Sequence, residues 1–299
     1  INRKNVIYQN IKSLLDFQDL TVTLKKVFVS FTIVHLSDLH YNAYPLHWSE
    51  WNFKRGLGAA NLFLKRAKQH PLSRNRNLVE KVSTMDWDHL VISGDLTQLG
   101  LEQEFEEARR ELEPLLQEKD RVSIVPGNHD RYVQDPEGKN SFDQYFREFF
   151  GEDEIHHRDL PCGWKLIGWD SCHPAPWYSA SGTVKQTTLE QSETLIKESD
   201  PETPFLLVNH YPISFPNSWD PDPHHELSNL EAVREWVLGH PQIRLYLHGH
   251  IHRNWILNSP RGNDTELVSV NSAASSQLLK PGQQSSFHQI QIEGNEFEI

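Results

Sequence analysis

The chain has 299 residues, 37% of them hydrophobic, and its 41 acidic against 29 basic residues give a formal net charge of −12. That length and apolar content suit an α/β unit with a sizeable core, and the acidic balance excludes a protein that coats DNA or RNA, since phosphate neutralisation needs basic surface. Two ordinary thiols, Cys162 and Cys172, offer neither a disulfide framework nor a Cys-x-x-Cys metal site.

Residues 1–28 show no assignable pattern. The first clear element is Phe31-Thr-Ile-Val-His-Leu36, a short β-rich run that predicts a strand. Residues 41–76 then hold seven Lys or Arg and one acid, Glu50, in a chain that is otherwise strongly acidic. Tyr41, Tyr44, Trp48, Trp51 and Phe53 make this insertion aromatic-rich. Phe53, Leu57, Ala60, Leu64 and Ala67 fall on one helical face, although Gly56 and Gly58 weaken a helix. Two readings stay open: a basic amphipathic element on a membrane surface, or a docked helix with its stripe in the core and its cations in water.

Strands are predicted next at His89–Ser93 and Val122–Val125, with a helix over Leu101–Gln117 between them, where Phe105, Ala108 and Leu112 recur at helical spacing. A helix over Ser141–Phe150 leads to a strand at Trp164–Trp169, and a helix over Thr188–Glu198 to a strand at Phe205–Val208. A further helix over Asn229–Leu238, with Gly239 as its cap, leads to a strand at Arg244–Leu247. Beyond residue 250 the pattern turns to strands alone, at Trp255–Leu257, Leu267–Val270, Phe287–Ile292 and Phe297–Ile299. An alternating body with a β-rich end predicts an α/β fold, a layered sheet core flanked by helices. There is no run of about 18 apolar residues to cross a membrane, and the first 30 residues lack a signal-peptide core.

Polar clusters follow the predicted strands. They are Asp38-Leu-His40, Gly94-Asp95, Gly127-Asn128-His129-Asp130, Asn209-His210 and His248-Gly-His250-Ile-His252. Ligand sites of α/β sheets gather at the carboxyl ends of strands. With His129 set aside, the candidate donors are Asp38, His40, Asp95, Asn128, His210, His250 and His252. Carboxylate, amide oxygen and imidazole suit Mn2+, Fe2+ or Zn2+, and seven donors are too many for one tetrahedral zinc. His248 reads as a strand-end histidine and His35 as a core histidine. The remaining histidines, including His156-His157 and His224-His225, read as surface or substrate-loop residues.

These five blocks, in this order, resemble the calcineurin-like metallophosphoesterase family, whose pattern is Asp-x-His, Gly-Asp, Gly-Asn-His-Asp/Glu, a lone His and Gly-His-x-His. The resemblance implies a metallophosphoesterase domain over 29–299. It implies two divalent ions, manganese first, with Asp38, His40, Asp95 and His252 on one and Asp95, Asn128, His210 and His250 on the other. It also implies a shared, activated water attacking phosphorus, with His129 facing the leaving group as general acid. Asp130 either orients His129 or braces its loop.

Within the family, the missing Asp-Arg-Gly after Gly94-Asp95 and the missing Tyr ligand set aside the protein Ser/Thr phosphatases and the purple acid phosphatases. The layout is similar to the UDP-2,3-diacylglucosamine pyrophosphohydrolases of lipid A synthesis, although a well-known branch of those enzymes carries Arg where this chain has His129. That likeness implies a nucleotide-lipid substrate. It also implies a cytoplasmic chain, peripheral on the inner membrane through 41–76. A soluble cyclic-nucleotide phosphodiesterase fits the core motifs equally, and a metal-free scaffold on the same fold is the third reading.

Overall fold

The computed structural model describes residues 30–43, 55–56, 70–133, 141–151, 153–220, 222–261, 265–278 and 285–299. The segment 1–28 and most of the predicted 53–67 helix lie outside them.

In chain order the elements are β1 (Phe31–Leu36), α1 (Leu72–Ser83), β2 (His89–Ile92), α2 (Glu102–Leu112), β3 (Val122–Ile124), α3 (Ser141–Phe150), β4 (Ile155–Asp159) and β5 (Lys165–Trp169). There follow α4 (Gln186–Glu198), β6 (Phe205–Val208), α5 (Leu230–Gly239), β7 (Ile243–His248), β8 (Trp255–Pro260), β9 (Glu266–Asn271), β10 (His288–Glu293) and β11 (Glu296–Glu298). They form two mixed sheets, ordered β11-β10-β1-β2-β3 and β4-β5-β6-β7-β9-β8. The first sheet is parallel over β1-β2-β3, up to its β3 edge, with antiparallel β10 and β11 on the other side, and the second is parallel over β5-β6-β7-β9 with antiparallel β4 and β8 at its two edges.

Alternation within the strands builds the layers. Leu206 and Val208 of β6 join Leu245 and Leu247 of β7 in the core that also holds Ile33, Leu36, Leu90 and Ile92 of the first sheet. Phe205, Leu207 and Tyr246 point the other way, against Leu189 and Ile196 of α4 and Val233 and Val237 of α5, and a register shift between β6 and β7 brings Ile243 to that side as well. Side chains two apart share a face of a strand, so one apolar run serves two cores. Among the described residues no helix is long and apolar enough to cross a membrane.

Several sequence expectations need correction. The 101–117 helix stops at Leu112, because Pro114 has no N–H to continue the helical hydrogen bonds, and a 3-10 turn over Glu113–Leu115 follows. Gly239 is the last helical residue of α5 rather than its cap, and the chain leaves at His240 in an extended conformation. Helix α1 was not anticipated. Its Leu78, Val79 and Val82 are buried, while Arg74 donates to Ser276 O at 3.1 Å and Arg76 to Glu111 Oε2 at 2.8 Å. This end of the basic insertion is therefore a docked helix. Strand β4 was missed too. His156, read as a surface residue, is buried, with its Nδ1 donating to Phe150 O at 2.6 Å and its Nε2 2.8 Å from Ser123 Oγ.

Candidate metal centre

The carboxyl ends of β1, β2, β3, β6 and β7 converge, and the chain leaves several of them in an unusual conformation. Asp38, His40, Asp95, His250 and His252 have φ of 55°, 48°, 55°, 74° and 54°, and they are all of the non-glycine residues at positive φ among those described. Each such residue costs on the order of 1–3 kcal/mol and persists only when its surroundings hold it. The hold is visible. Asp38 N donates to Gly94 O, His40 N to Asp95 O and Gly249 N to His210 O at 3.0, 3.0 and 3.1 Å. The Asp38 carboxylate in turn accepts His250 N at 3.1 Å.

The motif glycines follow from close approach. A Cβ on Gly127 would stand 2.2 Å from Asp95 Oδ1, and one on Gly249 would stand 2.3 Å from Asp38 Oδ2.

All seven predicted donors meet in this space. His40 Nε2 lies 3.0 Å from His252 Nε2, 3.9 Å from Asp38 Oδ1 and 3.7 Å from Asp95 Oδ2. His252 Nε2 lies 3.2 Å from Asp38 Oδ1. On the other side, His210 Nε2 is 3.4 Å from Asp95 Oδ2, 3.1 Å from Asn128 Oδ1 and 3.2 Å from His250 Nδ1. Asp38, His40, Asp95 and His252 form one group that could hold a metal ion, and Asp95, His210 and His250 another. Asp95 is common to both.

Tautomers test whether a cation fits. A carbonyl only accepts, so the ring nitrogen facing it must donate. His40 Nδ1 donates to Thr97 O at 3.1 Å, His210 Nδ1 to Ser93 O at 2.8 Å and His250 Nε2 to His225 O at 2.9 Å. In the neutral rings the inward nitrogens are then bare lone pairs, aimed at one another and at carboxylates. Acceptors that converge without a donor demand a positive charge. Outer-shell carbonyls that fix ring tautomers are what metal-ligating histidines commonly have.

Electrostatics agree. Burial alone would raise both aspartates, but the facing imidazoles outweigh it: His252 holds Asp38 below the ordinary carboxylate range, and His210 and His129 hold Asp95 well below it. Burial keeps His250 neutral, at about 3, and holds His40 well below its usual value. Burial also opposes charge on His210, yet the Asp95 carboxylate overrides it and raises His210 to about 9. A proton thus occupies there the position that a cation would take.

His129 sits beside this centre. Its Nδ1 donates to Gln98 O at 2.6 Å, its ring stands edge-on to His40 at 5.0 Å, and its backbone N donates to Asp95 Oδ1 at 2.8 Å. Asp130 braces the loops. It accepts from Leu96 N, Thr97 N and Gly127 N at 3.2, 2.9 and 2.9 Å, tying the Asp95 turn to the Gly127 turn. His248 is buried against Ser269 Oγ at 3.0 Å and His35 against Ser93 Oγ at 2.8 Å, both outside the clusters.

The sequence does not single out Glu104, and it groups His70 with the surface or substrate-loop histidines although that residue is buried. Glu104 is buried and accepts the backbone N–H of Ala43, Leu99 and Leu101 at 3.1, 2.7 and 3.1 Å, shaping the loop that carries Gln98. Burial raises its carboxyl to about 7 against those hydrogen bonds. A glutamate at the third position of a helix is a legible capping signal. His70 clusters with His40 and His252. Its place just before Pro71 is no signal for a ligand.

The family model for calcineurin-like phosphoesterases matches residues 31–254. The chain belongs to the calcineurin-like phosphoesterase family. It has the fold of that family and is a metal-dependent phosphoester hydrolase; the family uses a dinuclear metal centre. Among curated proteins it is 23% identical over 179 residues, 60% of this chain and 68% of the other, to a probable cyclic nucleotide phosphodiesterase of Vesicomyosocius okutanii. It is 25% identical over 179 residues, again 60% and 68% of the two chains, to a protein of the same description from Ruthia magnifica. Among solved structures, a dimetal phosphatase from Danio rerio superimposes with a TM-score of 0.60 at 15% identity, over 89% of this chain and 94% of that one. A yellow lupin purple acid phosphatase superimposes with 0.54 at 12%, over 89% and 50%. At these identities the structural likeness concerns the fold alone.

Proposed function

We propose that this calcineurin-like phosphoesterase holds two divalent cations on its strand-end side chains and hydrolyses a phosphodiester or phosphoanhydride bond of a nucleotide. Asp38, His40, Asp95 and His252 take the first ion, and Asp95, Asn128, His210 and His250 the second. The observation that carries this is Asp95 Oδ2, which faces His40 Nε2 at 3.7 Å and His210 Nε2 at 3.4 Å, between the two groups. Manganese, iron and zinc all accept these donors. Two such ions, when bound, supply Lewis acidity at the phosphoryl oxygens and an activated water. The chain's own contribution is orientation and proton handling. The Gln98 carbonyl holds the proton on His129 Nδ1, so in the imidazolium form the second proton sits on Nε2, and this is the one handed to the departing oxygen, leaving the neutral ring.

The nucleotide reading is supported by the description of the curated relatives and by an aromatic cluster reached from His252 through the next residue, Arg253. Phe215 stacks on Trp219 at 5.6 Å, Trp219 meets Trp255 at 6.4 Å, and Arg253, which follows His252, lies over Trp219 at 5.7 Å. Flat rings beside a guanidinium suit a base and its phosphate. A second reading, a nucleotide-lipid such as UDP-2,3-diacylglucosamine with peripheral membrane contact through 41–76, draws on the cations and aromatics of that segment and on its anchorage near the centre through Arg55. This residue of the basic insertion donates to Leu99 O at 3.3 Å and Gly100 O at 2.7 Å, on the loop that orients His129. The test is turnover with Mn2+ of cyclic AMP, UDP-2,3-diacylglucosamine and bis(p-nitrophenyl) phosphate. Cyclic AMP turned over well above the generic ester supports the first reading. The lipid alone supports the second, and no turnover of any of the three removes both.

Acid should weaken metal binding. His210 keeps its second proton below about 9, so an ion entering the second group must expel it. Affinity for that ion is expected to rise about tenfold per pH unit between pH 6 and 8, one proton leaving per ion, and to level off above about 9. Calorimetric Mn2+ titration checks this; an affinity flat across that range would contradict it.

A further inference from the structure

We propose that His70 is an additional protein ligand of the first metal ion, supplied from outside the five family motifs; this rests on the dinuclear reading above. His70 is 2% exposed, and its ring stands edge-on to His40 at 4.7 Å and to His252 at 5.7 Å. A ring nitrogen of each of the three lies within 4.8 Å of the others, close enough for the three to converge on one ion. Two of those three already face each other, with His40 Nε2 and His252 Nε2 3.0 Å apart.

The backbone shows that this is a held position. Asn42 Nδ2 donates to His70 O at 2.9 Å and to His40 O at 3.4 Å, so one amide ties the His70 turn to the Asp38–His40 turn. One helical turn further on, the buried Asn75 Nδ2 of α1 donates to Leu39 O at 3.1 Å. Pro71, the N-cap of α1 with φ of −72°, restricts the junction between these clamps. The entry to α1 is thereby fastened to the loop that carries the first group, and His70 is the side chain it presents there. A third imidazole beside those of His40 and His252 would make the first site richer in nitrogen and bias it toward Mn2+, Fe2+ or Zn2+ over Mg2+.

The experiment titrates the metal-free full chain with Mn2+ and compares wild type with His70→Gln, which keeps size and polarity, and His70→Ala. Wild type is expected to bind two ions. Both variants should lose affinity at one site by at least about tenfold, the smallest loss typical of removing even a partner of a ligand, and keep the other site unchanged. Thermal unfolding without metal should move little for His70→Gln, while the rise in Tm produced by Mn2+ shrinks. In crystals of the Zn2+-loaded wild type a His70 ring nitrogen should lie about 2.0–2.1 Å from an ion. That measurement decides the matter even if the variants fail to fold. A wild type with two ions, variants that bind both as tightly, or a His70 ring out of bonding range of the zinc would overturn the role of His70 and leave the dinuclear reading standing. A wild type that takes up no pair of ions would remove both.

Discussion

Asp95→Asn is expected to release both cations and to abolish turnover. The carboxylate is 1% exposed and its two oxygens have separate partners. Oδ1 is held by the His129 backbone N–H at 2.8 Å, which aims Oδ2 between His40 Nε2 and His210 Nε2. In the asparagine variant the backbone N–H still selects an oxygen at the Oδ1 position. The amide NH2 then takes the Oδ2 position, a pair of donors facing lone pairs that otherwise demand a cation. The site would satisfy itself with hydrogen bonds, and the negative charge shared by both groups would be gone. Metal content per chain, measured together with turnover, checks this. A variant with two ions and wild-type turnover would sink the site as assigned.

The second large effect is expected at His129. His129→Ala keeps the backbone N–H that holds Asp95, so both ions should stay, while turnover falls about 10²–10⁴-fold, the range for a lost general acid. The dependence on leaving group separates an acid from a structural histidine. An alkoxide needs a proton and a nitrophenolate does not. The loss should be large for an alkyl or nucleoside ester and small for a p-nitrophenyl ester. An equal loss on both, or none, would exclude the acid role.

Much of the fold could be read because buried parallel strands are continuous apolar runs, as in Phe205–Val208 and residues 245–247, with polar clusters directly after them. The misses have local causes. Helix α1 buries only a narrow stripe around Leu78, Val79 and Val82 and continues a basic segment, so its periodicity was hidden. In β4 the burial pattern runs from Ile155 and His156 into exposed His157, and the partner that makes His156 a core residue, Ser123, lies on a different strand. His70 had the same difficulty, since nothing near it in the chain marks it as a neighbour of His40 and His252.

What the sequence by itself determined is the list of donors and their place after strands, because residue type and strand pattern are properties of short stretches. Only the tertiary structure decided that the ends of β1, β2 and β3 in one sheet meet those of β6 and β7 in the other, that Asp95 stands between two groups of imidazoles, and that His70 joins one of them. It also decided that five of the donors take left-handed backbone conformations. Those are outcomes of packing between segments up to about two hundred residues apart, such as His250 N on the Asp38 carboxylate, and no short stretch of sequence encodes them.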